Sequence, residues 1–224
     1  MLKEIYRRLE GHFGFQDWWP GETAWEVVVG AILTQNTAWR NVEKAIDQMK
    51  QHGLFSPKEI LEASPSKLES AVRSSGYYRQ KARRLLGVAA HIRQRHRGSL
   101  SRMLHQSPAA LRRELLTLPG IGPETADDIL LYAAGRATFV VDAYTVRALE
   151  RLGLAQSGGY EGYRRYVLSR FGRSPRRLQE FHALFVVLGK QYCKKEPRCV
   201  PCPLLDLCPT GRGSLRRGPI PEGR

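Results

Sequence analysis

The chain has 224 residues, 42% of them apolar, enough to fill an ordinary core as one large or two small domains. Lysine and arginine outnumber aspartate and glutamate by 36 to 21, and the resulting +15 charge and pI near 10.1 exceed what solubility needs, so a polyanion is the expected partner. A membrane role is not expected, because the longest apolar runs, Ala24 to Leu33 and Ala183 to Leu188, are too short to cross a bilayer and no lipid signal accompanies them.

Apolar periodicity predicts an all-α protein, with helices near 2–10, 22–33, 39–52, 57–63, 66–74, 78–96, 108–116, 123–134, 143–152, 160–171 and 176–192. Four Ser-Pro pairs, beginning at Ser56, Ser64, Ser107 and Ser174, each announce a helix: serine caps free N–H groups and proline occupies the first turn. Gly53, Gly76, Gly98, Gly135, Gly153 and Gly172 stand where periodic stretches stop. The Gly-, Arg- and Pro-rich tail after Cys208 reads as a mobile basic end.

Met1 begins an amphipathic, charged segment and no secretory leader precedes it, which suits a reducing cytoplasm. Trp18-Trp19-Pro20 precedes the first core helix, and Trp39 follows Gln35 by four residues. Three of these indoles could line one slot, or they could serve as packing. Along the predicted helix 78–96 and just past it, Arg79, Lys81, Arg83, Arg84, Arg93, Arg95 and Arg97 make a basic run, either a solvated face or a phosphate-contacting one.

Residues 118 to 126, Leu-Pro-Gly-Ile-Gly-Pro-Glu-Thr-Ala, join two predicted helices as a helix–hairpin–helix. Gly120 and Gly122 allow a tight turn and close approach of a ligand, and the helix starting at Pro123 points free N–H groups and its positive dipole end outward, where phosphate fits. A glycine pair between helices is also consistent with a plain tight turn. About twenty residues later, Asp142 sits at a predicted helix start. From its position alone it reads as an N-cap, a carboxylate at a helix start.

All four cysteines fall within sixteen residues: Cys199 and Cys202 are two residues apart, and Cys193 and Cys208 flank them at five-residue gaps. One metal centre is expected. Disulfides do not suit a reducing setting, and zinc remains a rival, although its ribbons usually show two close pairs where this chain has one. An iron–sulfur cubane accepts the looser outer spacing, and Pro203 and Pro209 after two of the ligands stiffen the loop. Lys194, Lys195 and Arg198 lie inside it, placed to touch phosphates.

Hairpin, Asp142 and cysteine loop, in that order, resemble the endonuclease III family of DNA base-excision glycosylases, within the helix–hairpin–helix Gly/Pro-Asp superfamily. The resemblance covers most of the chain. It implies a helical barrel-like domain over 21–134 and a second helical domain from 1–20 plus 135–224, with a [4Fe–4S] cluster loop at 193–208. Double-stranded DNA containing a damaged base would lie across the cleft between the two domains, bound by a monomer in a bacterial or archaeal cytoplasm, at the nucleoid. Asp142 would be the catalytic carboxylate. Gln35, within Leu33-Thr34-Gln35-Asn36-Thr37, would fill the vacancy left by the rotated base. Gly189 to Cys193 resembles the approach to the cluster. One departure is the first cysteine gap, five residues where the family has six.

Position 124 bears on the reaction type. Bifunctional members carry a lysine there that forms a Schiff base with the sugar, whereas this chain has Glu124, which implies a monofunctional enzyme. Glu124 could contact substrate or simply complement the helix dipole. With Trp18, Trp19, Pro20 and Trp39, it resembles the bacterial 3-methyladenine DNA glycosylases of the endonuclease III type, whose aromatic pockets take alkylated purines. That branch lacks the cluster cysteines, so the chain combines traits of two branches. Other readings are a glycosylase of the same fold for oxidised or mismatched pyrimidines or mispaired adenine, with or without lyase activity, and a non-catalytic DNA-binding or redox-sensing iron–sulfur protein.

Overall fold

A computed structural model describes residues 1–18 and 21–216. Among the described residues the regular structure is helical throughout, and no helix is long and apolar enough to cross a membrane. The chain divides into two compact units, one formed by Met1–Trp18 with Thr138–Arg224 and the other by Trp19–Ala137.

The internal unit carries α2 (Ala24–Leu33), α3 (Trp39–Gln51), α4 (Pro57–Glu62), α5 (Pro65–Ala71), α6 (Tyr78–His96), α7 (Leu100–Leu104), α8 (Pro108–Leu115) and α9 (Pro123–Asp128). Ser56, Ser64 and Ser107 cap α4, α5 and α8 by accepting from backbone N–H groups, as their Ser-Pro pairs predict. Ser99 caps α7 without a following proline, which is why that short helix has no signal in the sequence. The predicted helix 123–134 changes character midway, continuing as a π-helical segment over Ile129–Ala133.

Apolar side chains from these helices, among them Val28, Ile32, Ile46, Leu85, Leu111 and Ile129, form one core. Two polar straps cross it. Arg112 on α8 donates from Nε and Nη2 to the two carboxylate oxygens of Asp127 on α9, each at 3.0 Å, and Asp127 is fully buried. A bidentate pair fixes the angle between the two hairpin helices, and removing one partner of a buried pair costs about 3–5 kcal/mol. Lys81 corrects the expected basic face of α6: it is 1% exposed, and its Nζ donates to Leu33 O at 2.8 Å and Ser75 O at 2.5 Å. Burial, with Arg84 nearby, pulls its pKa down to about 8. Lys81 therefore closes the C-terminal end of α2, where the Gln35 loop begins.

The other unit contains α1 (Leu2–Phe13), α10 (Ala143–Arg151), α11 (Gly159–Arg170), α12 (Pro175–Gln191) and α13 (Pro209–Arg216). Aromatic rings dominate its core: Phe181 lies 4.4 Å from Phe171 and 4.6 Å from Phe185 between ring centres, with Tyr6 of α1 closing on Phe171 at 5.2 Å. Here two expectations fail. Ser174 makes no side-chain cap to α12, and the tail after Cys208 is helical as far as Arg216, with Thr210 Oγ1 donating to Arg151 O at 3.2 Å.

Candidate active site and nucleic-acid interface

Asp142 is the N-cap of α10, in extended conformation, with Oδ1 accepting from Thr145 N–H at 2.7 Å. Capping leaves Oδ2 for another partner, and His182 Nε2 lies 3.6 Å from it. His182 is 4% exposed, midway along α12. Burial acts to raise the pKa of Asp142, but the His182 imidazole and the Thr145 N–H outweigh it, so the carboxyl is held below its ordinary value. Its side chain keeps 16% exposure, so a substrate can still reach an ionised carboxylate in an otherwise dry setting.

Two contacts brace this corner. Tyr144 packs against Gly189 so closely that a Cβ there would stand 2.2 Å from the ring, so α10 and α12 approach only because position 189 lacks a side chain. Trp18 stacks on His182 with ring centres 5.6 Å apart and planes 30° from parallel. One expected pocket indole therefore borders the histidine that faces Asp142. Trp39 instead packs against the core of the internal unit. Trp19 and Pro20 lie outside the described residues.

In the internal unit the hairpin forms as expected, but its two glycines do different work. Gly120 has φ +81°, and a Cβ on it would meet Arg84 Nε at 2.1 Å. Gly122 is in ordinary extended conformation as the N-cap of α9 and has nothing within 4 Å of a Cβ position, so it leaves the helix end open to a ligand. Glu124 is exposed in the first turn of α9. Asn36, in left-handed conformation, turns the loop after α2. Gln35 then reaches the hairpin: its Nε2 donates to Gly120 O at 3.1 Å and to Thr125 Oγ1 at 2.9 Å. Arg84 Nη1 donates to Gln35 Oε1. A hollow of about 300 Å³ lies alongside, lined by Arg83, Arg84, Val88, Leu118, Pro119 and Gly120 among others. Two guanidinium groups, an open helix N-terminus and a glycine backbone make that surface suited to a phosphate chain.

The cysteine loop is held from outside itself. Arg147 Nε donates to Cys193 O at 2.7 Å, and Arg151 donates to Lys194 O at 2.6 Å, Lys195 O at 2.8 Å and Cys193 Sγ at 3.4 Å. Gly211 N–H points at Cys208 Sγ at 3.4 Å. Lys194, Lys195 and Arg198 are exposed, their backbone fixed and their charges free to meet an anion. All four cysteines are unpaired by disulfide and half-buried. Burial, reinforced by the other three cysteines, pushes the Cys202 thiol up to about 11, a cost that a bound cation would remove. Around one zinc, four sulfurs crowd to about 3.8 Å of one another. Four half-buried free thiols on one short loop fit an iron–sulfur cubane, whose cysteines bind separate iron corners.

Sequence reasoning missed His182, Arg147 and Arg151, and it named Arg84 only as part of a basic run, not as a partner of Gln35. A buried histidine beside an apolar run looks like core, and the arginines act on segments far away in the chain.

A model of the HhH-GPD superfamily of base excision DNA repair proteins matches residues 29–171. A relative described as a putative DNA repair glycosylase of Methanocaldococcus jannaschii is 41% identical over 93% of this chain and 96% of its own. The thymine-DNA glycosylase of Aeropyrum pernix is 27% identical over 82% of this chain and 81% of its own. Among solved structures, a 3-methyladenine DNA glycosylase of H. pylori bound to 1,N6-ethenoadenine superposes with a TM-score of 0.75 at 29% identity, covering 85% of this chain and 97% of that one. An endonuclease III trapped on DNA superposes with a TM-score of 0.80 at 22% identity, covering 96% of this chain and 99% of that one, a likeness of fold.

Proposed function

Because the chain belongs to the HhH-GPD superfamily of base excision DNA repair proteins, we propose that this DNA glycosylase is monofunctional and removes alkylated purines from double-stranded DNA. The observation that carries the reading is Asp142: a carboxylate kept ionised in a dry setting, fixed by Thr145 and His182, with one edge still reachable. As the bond between C1′ and the base nitrogen breaks, its electron pair leaves with the base and positive charge builds on the sugar. Asp142 stabilises that charge. Water then adds at C1′ and loses its proton to Asp142 or to solvent. Glu124 stands where a Schiff-base amine would be needed, and a carboxylate cannot form an imine, so the strand stays uncut.

A purine methylated at N3 or N7 carries positive charge and departs as a neutral base, so it needs little acid catalysis. Trp18, stacked on the histidine that faces Asp142, offers an indole face to such a cation. Similarity to the H. pylori 3-methyladenine glycosylase supports this choice. Similarity to the A. pernix thymine-DNA glycosylase favours a second reading, excision of mismatched thymine by the same carboxylate.

Gln35, presented by the hairpin and Arg84, would enter the duplex where the base rotates out. Gly120, Gly122 and the arginine-lined hollow would receive the phosphate chain, and Lys194, Lys195 and Arg198 would add sequence-independent attraction. Cys193, Cys199, Cys202 and Cys208 would hold a [4Fe–4S] cluster, which when bound clasps the basic loop and takes no part in bond breaking. Duplexes carrying single 3-methyladenine, 1,N6-ethenoadenine, oxidised pyrimidine or thymine opposite guanine test the reading by chromatography of released bases. Release of an alkylated purine with the strand intact is expected. Release of thymine or an oxidised pyrimidine alone would overturn the substrate choice.

A further inference from the structure

We propose that His91, His96 and Glu114 form a binding site for one divalent first-row transition metal ion of the zinc type, separate from the cysteine loop. His91 and His96 lie on α6, and Glu114 is the penultimate residue of α8. Their ligand atoms all fall within 4.8 Å of one another. Nε2 of each imidazole is 2.5 Å from the same atom, Glu114 Oε1.

Three features make this a metal-binding set. First, its chemistry is two imidazoles and one carboxylate, the donor combination of three-ligand zinc sites that leave a fourth position open to water. Second, the three side chains are 17%, 10% and 20% exposed, dry enough to make stripping the ion of most of its water worthwhile, yet open enough for entry. Third, the carboxylate is already oriented, since Gln106 Nε2 donates to Glu114 Oε2 at 2.6 Å and to Met103 O at 3.2 Å. A fixed second oxygen leaves Oε1 to the ion, the arrangement outer partners impose on ligating carboxylates. Ligands at about 2.0–2.1 Å around a tetrahedral ion stand about 3.3 Å apart, so each ring Nε2 would draw back from Glu114 Oε1 by less than about an ångström.

Hydrogen bonding alone would satisfy the same atoms, with both imidazoles carrying hydrogen on Nε2 and donating to one oxygen. The two accounts differ in what zinc does. On the metal account the ion ties the last turns of α6 to the end of α8, the helix that leads into the Leu118–Gly122 turn. Its role is to stiffen the approach to the hairpin.

The test titrates zinc chloride alone into the cluster-loaded protein. Zinc content after dialysis is read together with long-range ¹H–¹⁵N spectra of the histidine rings, which need no variant. The expected result is one zinc per chain beyond the cluster iron, displacement of two ring Nε2 resonances, and at least tenfold weaker binding in both His91→Gln and Glu114→Gln. Cobalt in place of zinc should give weak visible bands without sulfur-to-metal charge transfer in the near ultraviolet. The proposal is overturned if no zinc is retained, if zinc is retained while the ring resonances stay fixed, or if both variants, folded by circular dichroism, bind it as tightly as the parent.

Discussion

His182 Nε2 lies 3.6 Å from Asp142 Oδ2, joining the middle of α12 to the first turn of α10. Burial works to protonate Asp142, and this histidine, with the Thr145 N–H, works against it and prevails. Because the folded pKa is depressed, the charged form persists below the usual carboxylate range. Single-turnover excision by the parent should therefore hold its rate as pH falls through that range. In His182→Ala the burial effect is left with less opposition, and the acid limb of the pH–rate profile should move toward neutral. Superimposable acid limbs for the two proteins would show that His182 does not act through Asp142.

Glu124 should leave the enzyme without lyase chemistry. Incubation with lesion-containing duplex and borohydride should yield no denaturation-resistant protein–DNA adduct, and the abasic strand should break only after alkali. A trapped adduct would require an amine elsewhere to reach the sugar.

Gln35 and Arg84 should behave as one unit, because Arg84 holds the Gln35 amide while Gln35 bonds the hairpin. Gln35→Ala should weaken lesion binding by about tenfold, on the order of 1.4 kcal/mol. A cycle with Arg84→Ala should show coupling of about 0.5–3 kcal/mol, the double variant losing less than the sum of the singles. Strict additivity, measured by fluorescence anisotropy, would contradict the contact.

Lys194, Lys195 and Arg198 are exposed on a loop whose backbone Arg147 and Arg151 secure. Replacing the three with glutamine should weaken lesion and undamaged duplexes alike. The slope of log K against log salt should become shallower by about 0.9 for each phosphate that the loop no longer neutralises. An unchanged slope would remove this loop from the interface.

Much of this protein is legible in its sequence because local chemistry dictates it. Ser56, Ser64 and Ser107 cap the helices that begin at the very next residue, all six glycines expected at helix ends have positive φ, and Asp142 caps α10 from its own first turn. What stayed hidden is tertiary. Charge pattern could not reveal that Lys81 points inward while Arg79 and Arg83 point out. His182 is followed directly by the apolar run Ala183–Leu188 and is buried with it. Arg147 and Arg151 serve a cysteine 46 and 42 residues ahead. Helix α13 was masked by Gly211 and Gly213, poor helix formers that here allow a close approach to Leu205 in one case and open space in the other.

Whether Asp142 drives bond cleavage is decided by Asp142→Asn. Asparagine still caps α10, so fold and DNA binding should survive. Single-turnover release of the preferred base should nevertheless fall by a factor on the order of 10²–10³. Release at the parent rate by a folded, DNA-binding Asp142→Asn protein would contradict the account.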